Sequence, residues 1–366
     1  MRLSADRARP AASSSPARWC NMSRVYLDSG YLDVHGLLER GLPFNFAVGG
    51  RATGKTYGSL LESIQAPRTF LLIRRTQAQA DIITKPEFSP FKRICEDQNI
   101  LITSSPVTKY NSAFYYYKVD EDGKQIQQGK PLGYSAALST FSNIRGFDAS
   151  DVDLMIFDEF IPERHERPIK NEFEALMNCY ETVNRNRELQ GRKPVQLLCL
   201  ANANDVANPV FVGFNLVKRA NEMLAKGKEV YQDDKRGICL YMLQHSPISD
   251  EKRNTVLYKA TEGTRFSEMA LDNKFAFNDF SNIRSRPLRE FIPICVIGKI
   301  CCYRHKSDGT YYVSLHKSGS PPCYTDSEAD IQRFKRMYGW LWDAYMKNKV
   351  TFEEYIAEHY LTKYLR

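Results

Sequence analysis

The stretch FNFAVGGRATGKTYGSLLESI, residues 44–64, passes from an apolar run through a glycine-rich turn into a helical pattern that opens at Lys55-Thr56. Its centre reads G-x-x-x-x-G-K-T, from Gly49 to Thr56. A strand, a glycine loop and a helix in that order make a phosphate cradle: backbone N–H groups turn inward, and the new helix adds its positive end. Gly49, Gly50, Arg51, Ala52, Thr53, Gly54, Lys55 and Thr56 are then the ATP-binding loop. Lys55 is expected to reach the β- and γ-phosphates, and Thr56 to place its hydroxyl on Mg²⁺. Gly49 and Gly54 let the backbone turn and approach closely. At ordinary residue frequencies the four fixed positions coincide about once per 30,000 windows.

A phosphate cradle needs an acid, and DLMIFDEF (153–160) offers one. Four apolar residues lead to Asp158 and Glu159. At the tip of the adjacent strand, Asp158 is placed to hold the Mg²⁺ shell. Glu159 is placed to polarise a water for in-line attack on the γ-phosphate. A paired Asp-Glu favours hydrolysis over nucleotide storage. LCLANAN (198–204) is a further strand that ends in a polar residue. Asn202 is the candidate γ-phosphate sensor there; the alternative is an Asn that caps the following turn. NRNRE (184–188) closes a helix. Arg185 and Arg187 are two apart and face different directions. Spacing leaves open whether both merely complement the helix dipole or one reaches a neighbouring subunit's nucleotide as an arginine finger.

Outward from these motifs, strands and helices alternate. Strands are expected at 43–50, 69–76, 151–160 and 195–204, and helices at 30–40, 55–64, 169–191 and from Pro209 to Leu224. SAFYYYKVDEDGKQI (112–126) reads as a hairpin turning at Asp122-Gly123. Near-continuously apolar strands between helices predict an α/β fold, a mostly parallel sheet with helices on both faces. Past residue 216 the character changes. Residues 218–236 are charged and linker-like, FIPICVIG, KICCYRHK and TYYVSLHK are short strands, and the C-terminal end reads as helical. The expected division is a disordered extension (1–22), an ATPase domain (23–216), a linker (217–260) and a smaller α+β domain (261–366). Residues 1–21 read as an upstream extension, with Met22 as the natural start.

The composition of the 366 residues, 43% hydrophobic and 26% charged, is that of a soluble globular protein, and no apolar run is long enough for a membrane span. The net charge of +8 is uneven: residues 216–366 contribute +6. That excess suggests a polyanionic partner, although lysines kept for solubility would give the same number. Nine cysteines, with no C-x-x-C pair, read as reduced core thiols of a cytoplasmic protein. The six His show no metal-ligand spacing, so no zinc site is expected.

Taken together, the chain resembles the DNA-packaging (encapsidation) ATPases of small podovirus-type tailed bacteriophages, relatives of the large terminase motors. The resemblance runs from about residue 40 to 316 and is strongest in FDEFIPERHERPIKNEFEALMNCYETVNRNRE (157–188) and LLCLANANDVANPVFVGFNLV (197–217). EGTRFSEMALDNKF (262–275) is similar to a stretch that follows the ATPase domain in that family. The resemblance implies an ASCE, terminase-like ATPase that uses ATP and Mg²⁺. It implies a homo-oligomeric ring, a pentamer, acting in the host cytoplasm at the portal of an empty capsid and driving double-stranded DNA inward. In some relatives a packaging RNA is a further partner. It favours Arg185 over Arg187 as the trans-acting finger, and it implies an RNase H-like C-terminal domain. One departure stands out. The first strand of that domain, FIPICVIG, carries no acid, and Asp272, Asp279 and Asp308 lie elsewhere. No nuclease activity is therefore expected, and the domain should meet DNA, RNA or portal through its basic surface. The competing readings are another ring-forming translocase or helicase, a P-loop kinase or switch, and a nucleic-acid-binding scaffold with an inactive loop.

Overall fold

The computed structural model describes residues 24–365, apart from 145, 164, 165, 167, 168, 245, 265, 266, 268, 269 and 272–281. The expected extension at 1–22, Asp272, Asp279 and most of 262–275 lie outside the described residues.

Nine strands form the larger sheet: β1 (Phe44–Gly49), β2 (Phe70–Arg74), β3 (Ile102–Pro106), β4 (Asn111–Val119), β5 (Gln125–Ala137), β6 (Leu154–Asp158), β7 (Gln196–Asn202), β8 (Val230–Asp233) and β9 (Ile238–Leu243). Their order is β3-β4-β5-β2-β6-β7-β1-β9-β8. The central run from β5 to β9 is parallel, and antiparallel strands close both edges. The apolar runs owe their continuity to burial on both faces. Phe46, Val48, Met155, Phe157, Leu197 and Cys199 enter one core. Their chain neighbours Ala47, Leu154, Ile156, Leu198 and Leu200 enter the other. Helices α1 (Val34–Glu39), α2 (Lys55–Gln65) and α4 (Lys92–Gln98) contribute buried residues to the second core, and α5 (Glu172–Asn184), α6 (Pro209–Gly213) and α7 (Val217–Ala225) to the first. The short α3 (Gln77–Ile82) follows β2.

Several expectations need correction. The strand carrying Asp158 is not adjacent to β1, because β7 lies between them. The helix expected to run to residue 191 ends at Asn184: Arg185, at φ 49°, turns the chain, and a separate 3₁₀ turn follows at Glu188–Gln190. The helix expected from Pro209 to Leu224 breaks into α6 and α7 at Asn215, φ 53°. The boundary at 216 also fails, since the sheet continues to Leu243. ICLYML (238–243) is buried throughout and pairs in parallel with β1. The charges at 218–236 do not form one linker: Lys218, Arg219 and Glu222 lie on α7, Asp233 on edge strand β8, and the rest in the short connections between α7, β8 and β9. Helices α8 (Pro247–Arg253) and α9 (Val256–Ala260) follow.

A second sheet contains β10 (Phe291–Ile297), β11 (Ile300–His305), β12 (Tyr311–Ser314), β13 (Cys323–Tyr324) and β14 (Val350–Phe352), in the order β13-β10-β11-β12-β14. β10 to β12 form an antiparallel meander; β13 and β14 join its edges in parallel. Helices α10 (Glu328–Tyr338), α11 (Trp340–Met346) and α12 (Tyr355–Leu365) accompany it. The end of the chain is therefore not wholly helical, because β14 interrupts it. Residues of these helices and of the sheet share one core. A smaller cluster of Phe291, Cys301, Tyr303 and Tyr312 forms separately. The two units touch: Lys218 Nζ pairs with Glu354 at 3.0 Å, and Tyr355 Oη donates to Asp205 at 3.3 Å.

Candidate functional site

The glycine loop joins β1 to α2. Gly49 has no room for a side chain, since a Cβ there would lie 2.4 Å from the Leu243 Cβ on neighbouring β9. Gly54 opens α2 at φ 78°, the left-handed region that glycine tolerates. Within the loop, Thr53 Oγ1 donates to Gly50 O at 3.2 Å. Lys55 Nζ is folded onto the loop itself, 2.6 Å from Gly50 O, 3.1 Å from Thr53 Oγ1 and 3.3 Å from Gly49 O. Burial pushes the Lys55 ammonium down to about 8; Lys252 and Arg51 add to that, and Asp158 and Glu159 oppose it.

β6 delivers its carboxylates to the same place. Thr56 Oγ1 donates to Asp158 Oδ2 at 2.9 Å. Two residues 102 positions apart thus put two oxygens together at the mouth of the loop. Glu159 follows in the left-handed region, φ 57°. Loss of water around its carboxyl lifts it above the ordinary carboxylate value; Arg74 pulls the other way, and Asp158, Glu166 and Glu163 add to the lift. Asn202, opposite Gly49 in the β1–β7 register, shares with Glu159 a small cleft that Ile161, Glu163, Glu166 and Asn204 also line.

Two guanidinium groups stand nearby: Arg51 pairs with Glu163, and Arg74 with Asp158 and Glu159, while the Nε of each is buried without a hydrogen-bond acceptor. Guanidinium charge beside a glycine loop suits a polyanion, and the Thr56–Asp158 oxygen pair suits a hard cation. The residues present therefore fit ATP and Mg²⁺.

Of the two candidate arginines, Arg187 is buried. It donates from Nη1 to Asp153 (2.8 Å) and from Nη2 to the carbonyls of Val152 (2.6 Å) and Ser150 (2.8 Å), which ties the end of α5 to the entry of β6. Arg185 is half exposed and, among the described residues, pairs with Asp148 at 3.5 Å. Sequence reasoning missed Arg74, whose Nη1 lies 3.2 Å from Asp158 and 3.1 Å from Glu159. The abruptly basic end of TFLLIRRT marks that strand tip, but not what it faces. It also missed Lys252, which contacts the loop from some 200 positions away, and the buried ion pair of Arg75 with Glu172. Asp308 sits in a turn, bonded to Thr310 and His305. The described cysteines are free thiols; Cys323 is exposed, unlike the expected core thiols.

The family model described as podovirus DNA encapsidation protein (Gp16) matches residues 28–314. The DNA packaging protein of Bacillus phage phi29 is 30% identical over 236 residues, covering 63% of this chain and 61% of that protein. That of Bacillus phage B103 is 31% identical over 236 residues, covering 63% and 64%. The chain thus spans less than two thirds of the length of the curated relatives it matches. Among solved structures, the bacteriophage phi-29 viral genome packaging motor assembly aligns with a TM-score of 0.62 at 23% identity, covering 92% of this chain and 99% of that one. The Phi-28 gp11 DNA packaging motor aligns with a TM-score of 0.59 at 18% identity, covering 90% and 96%. At such identities the two structures show that the fold is shared.

Proposed function

The chain belongs to the podovirus DNA encapsidation family, and from that premise we propose that it is an ATP-hydrolysing motor that drives double-stranded viral DNA into a preformed capsid. The observation that carries the reading is the Thr56–Asp158 contact, which joins the glycine loop to a carboxylate tip with Glu159 beside it. In this reading Lys55 leaves the carbonyl of Gly50 for the β- and γ-phosphates, and the loop amides take the β-phosphate. Thr56 and Asp158 hold Mg²⁺, which when bound neutralises charge on the phosphate oxygens. Glu159 orients the attacking water and accepts its proton. Its raised proton affinity, with Arg74 holding the carboxyl in place, suits that task. Asn202 senses the γ-phosphate across the shared cleft.

Arg185 acts in trans, from a neighbouring subunit of a ring that we take to be pentameric. Its exposure and, among the described residues, its one long ion pair leave it available, whereas Arg187 is committed to the fold. The partners are double-stranded DNA and the portal of the procapsid, with a packaging RNA a further partner in some relatives. The site of action is the capsid portal vertex in the host cytoplasm. The second unit serves as the nucleic-acid or portal contact and does not cut DNA.

Lys55→Ala should abolish ATP hydrolysis, and Glu159→Gln should stop turnover with nucleotide binding retained. Wild-type hydrolysis by Glu159→Gln would sink the assignment of the water-orienting group. DNA binding should tolerate any sequence and weaken steeply with salt, because a motor that tracks a whole genome grips phosphates rather than bases. A salt-insensitive, sequence-specific footprint would contradict it.

A further inference from the structure

The back of the glycine loop is clasped from outside. Lys252, in the last turn of α8, donates from Nζ to the carbonyl of Arg51 at 2.7 Å and to that of Ala52 at 3.0 Å. The next carbonyl, that of Thr53, accepts from the backbone N–H of Leu32 at 3.0 Å. Three consecutive carbonyls are thus held by donors outside the loop. In a trans peptide unit the C=O and N–H point opposite ways. The N–H groups of Ala52, Thr53 and Gly54 are therefore turned away from those donors, to the inner side of the loop.

Ala52 shows that this geometry is imposed. It is not a glycine, yet it stands at φ 56°, a conformation that an L-residue holds only when its surroundings require it. The clasp is itself braced. Ser246 Oγ donates to Gly30 O at 3.2 Å, and a Cβ on Gly30 would come within 2.9 Å of Ile248 N on α8. The segment before α1 and the segment after β9 therefore close behind the loop as one piece.

We propose that Lys252 is a positioning residue for nucleotide binding: it holds the loop's inward amides in place by anchoring the carbonyls behind them. Its ammonium is spent on the carbonyls of Arg51 and Ala52. Its effect on nucleotide passes through the peptide units of residues 51–53. Because α8 directly follows β9 and leads toward the second sheet, the same contact makes the loop's affinity for phosphate depend on where α8 sits. The proposal rests on the reading of the loop as a nucleotide site.

The test uses the full-length chain, with MgADP and MgAMP-PNP as probes in titration calorimetry, alongside steady-state ATP hydrolysis. Lys252→Met removes both donated bonds while keeping the aliphatic stem. It is expected to weaken both probes by roughly ten- to a hundredfold, the worth of one charged hydrogen bond, and to raise KM by more than it lowers kcat. Lys252→Arg, which can still donate to both carbonyls, should recover most of the lost affinity. If Lys252→Met binds both probes as wild type does while Lys55→Ala loses them, the positioning role is overturned and the nucleotide site stands. If the wild-type chain binds neither probe, the site reading fails and the proposal falls with it. Should Lys252→Met melt early, amide exchange at residues 51–54 in Lys252→Gln decides. Faster exchange than in wild type supports the clasp, and unchanged exchange overturns it.

Discussion

The two sheets are built from similar apolar runs, yet among the described residues only one gathers chemistry. At the carboxyl ends of β1, β2, β6 and β7 the larger sheet brings together the amide-lined loop, Arg74, Asp158, Glu159 and Asn202. Among the described residues, the meander β10–β12 offers Asp308 in a turn, already bonded to Thr310 and His305. Strand direction explains the contrast. Parallel strands all end at one edge, so each contributes its tip to a common crevice. In an antiparallel meander successive ends fall at opposite edges, and a tip on one strand has no counterpart on the next. An acid-free β10 compounds this.

Substitutions can sharpen or break that contrast. After Lys55→Ala, the largest effect is expected at Arg185. Arg185→Ala should cost roughly 10³–10⁵ in turnover, the range for trans-acting arginine fingers. Mixing it with Lys55→Ala subunits should restore activity wherever an intact finger faces an intact loop. If co-assembled mixtures recover nothing, the finger does not act in trans. Next comes Glu159→Gln, with a loss of about 10²–10⁴ expected for a positioned proton acceptor, measured as turnover against unchanged nucleotide affinity.

A smaller effect concerns protons. With Lys55 held down to about 8 in the nucleotide-free chain, its neutral form gains population as the pH rises toward 9. A polyanion favours its charged form and raises its affinity for the proton, so binding should take up protons at pH 9 and far fewer at pH 6. Calorimetry in buffers of different ionisation enthalpy measures the uptake, and release in place of uptake would refute the arrangement. The smallest effect belongs to the second sheet. Asp308→Asn should leave ATP hydrolysis within about threefold of wild type, as surface substitutions away from a site generally do. A collapse of turnover there would erase the distinction between the two edges.

Much of the larger sheet could be read from sequence because two-sided burial leaves unbroken apolar runs such as LMIF and LLCL. The hairpin was readable because Gly123 takes φ 79° at its turn. The glycine loop and the strand tip that carries Asp158 were readable as local structure because a buried strand, a glycine turn and a helix start each leave a mark in sequence. What escaped depended on distant partners. Residues 218–236 read as a linker because their charges are local, whereas β9 is recognised as a central strand only beside β1. The breaks at Arg185 and Asn215 carry no glycine to announce them. Arg185 and Arg187 look alike in sequence, and only the buried contacts of Arg187 with Asp153 and Val152 separate them.

Tyr355 belongs to α12 of the second unit, yet its ring is buried in the core of the nine-stranded sheet, and its hydroxyl reaches Asp205, three residues past Asn202. Val212, Ile283 and Ile356 likewise lie against the cores of both units. Neither sheet can melt without stripping apolar cover from the other, so the free-energy cost of opening is shared between them. On heating, the chain should lose both sheets in a single cooperative endotherm rather than two. Tyr355→Ala is the substitution that should split it.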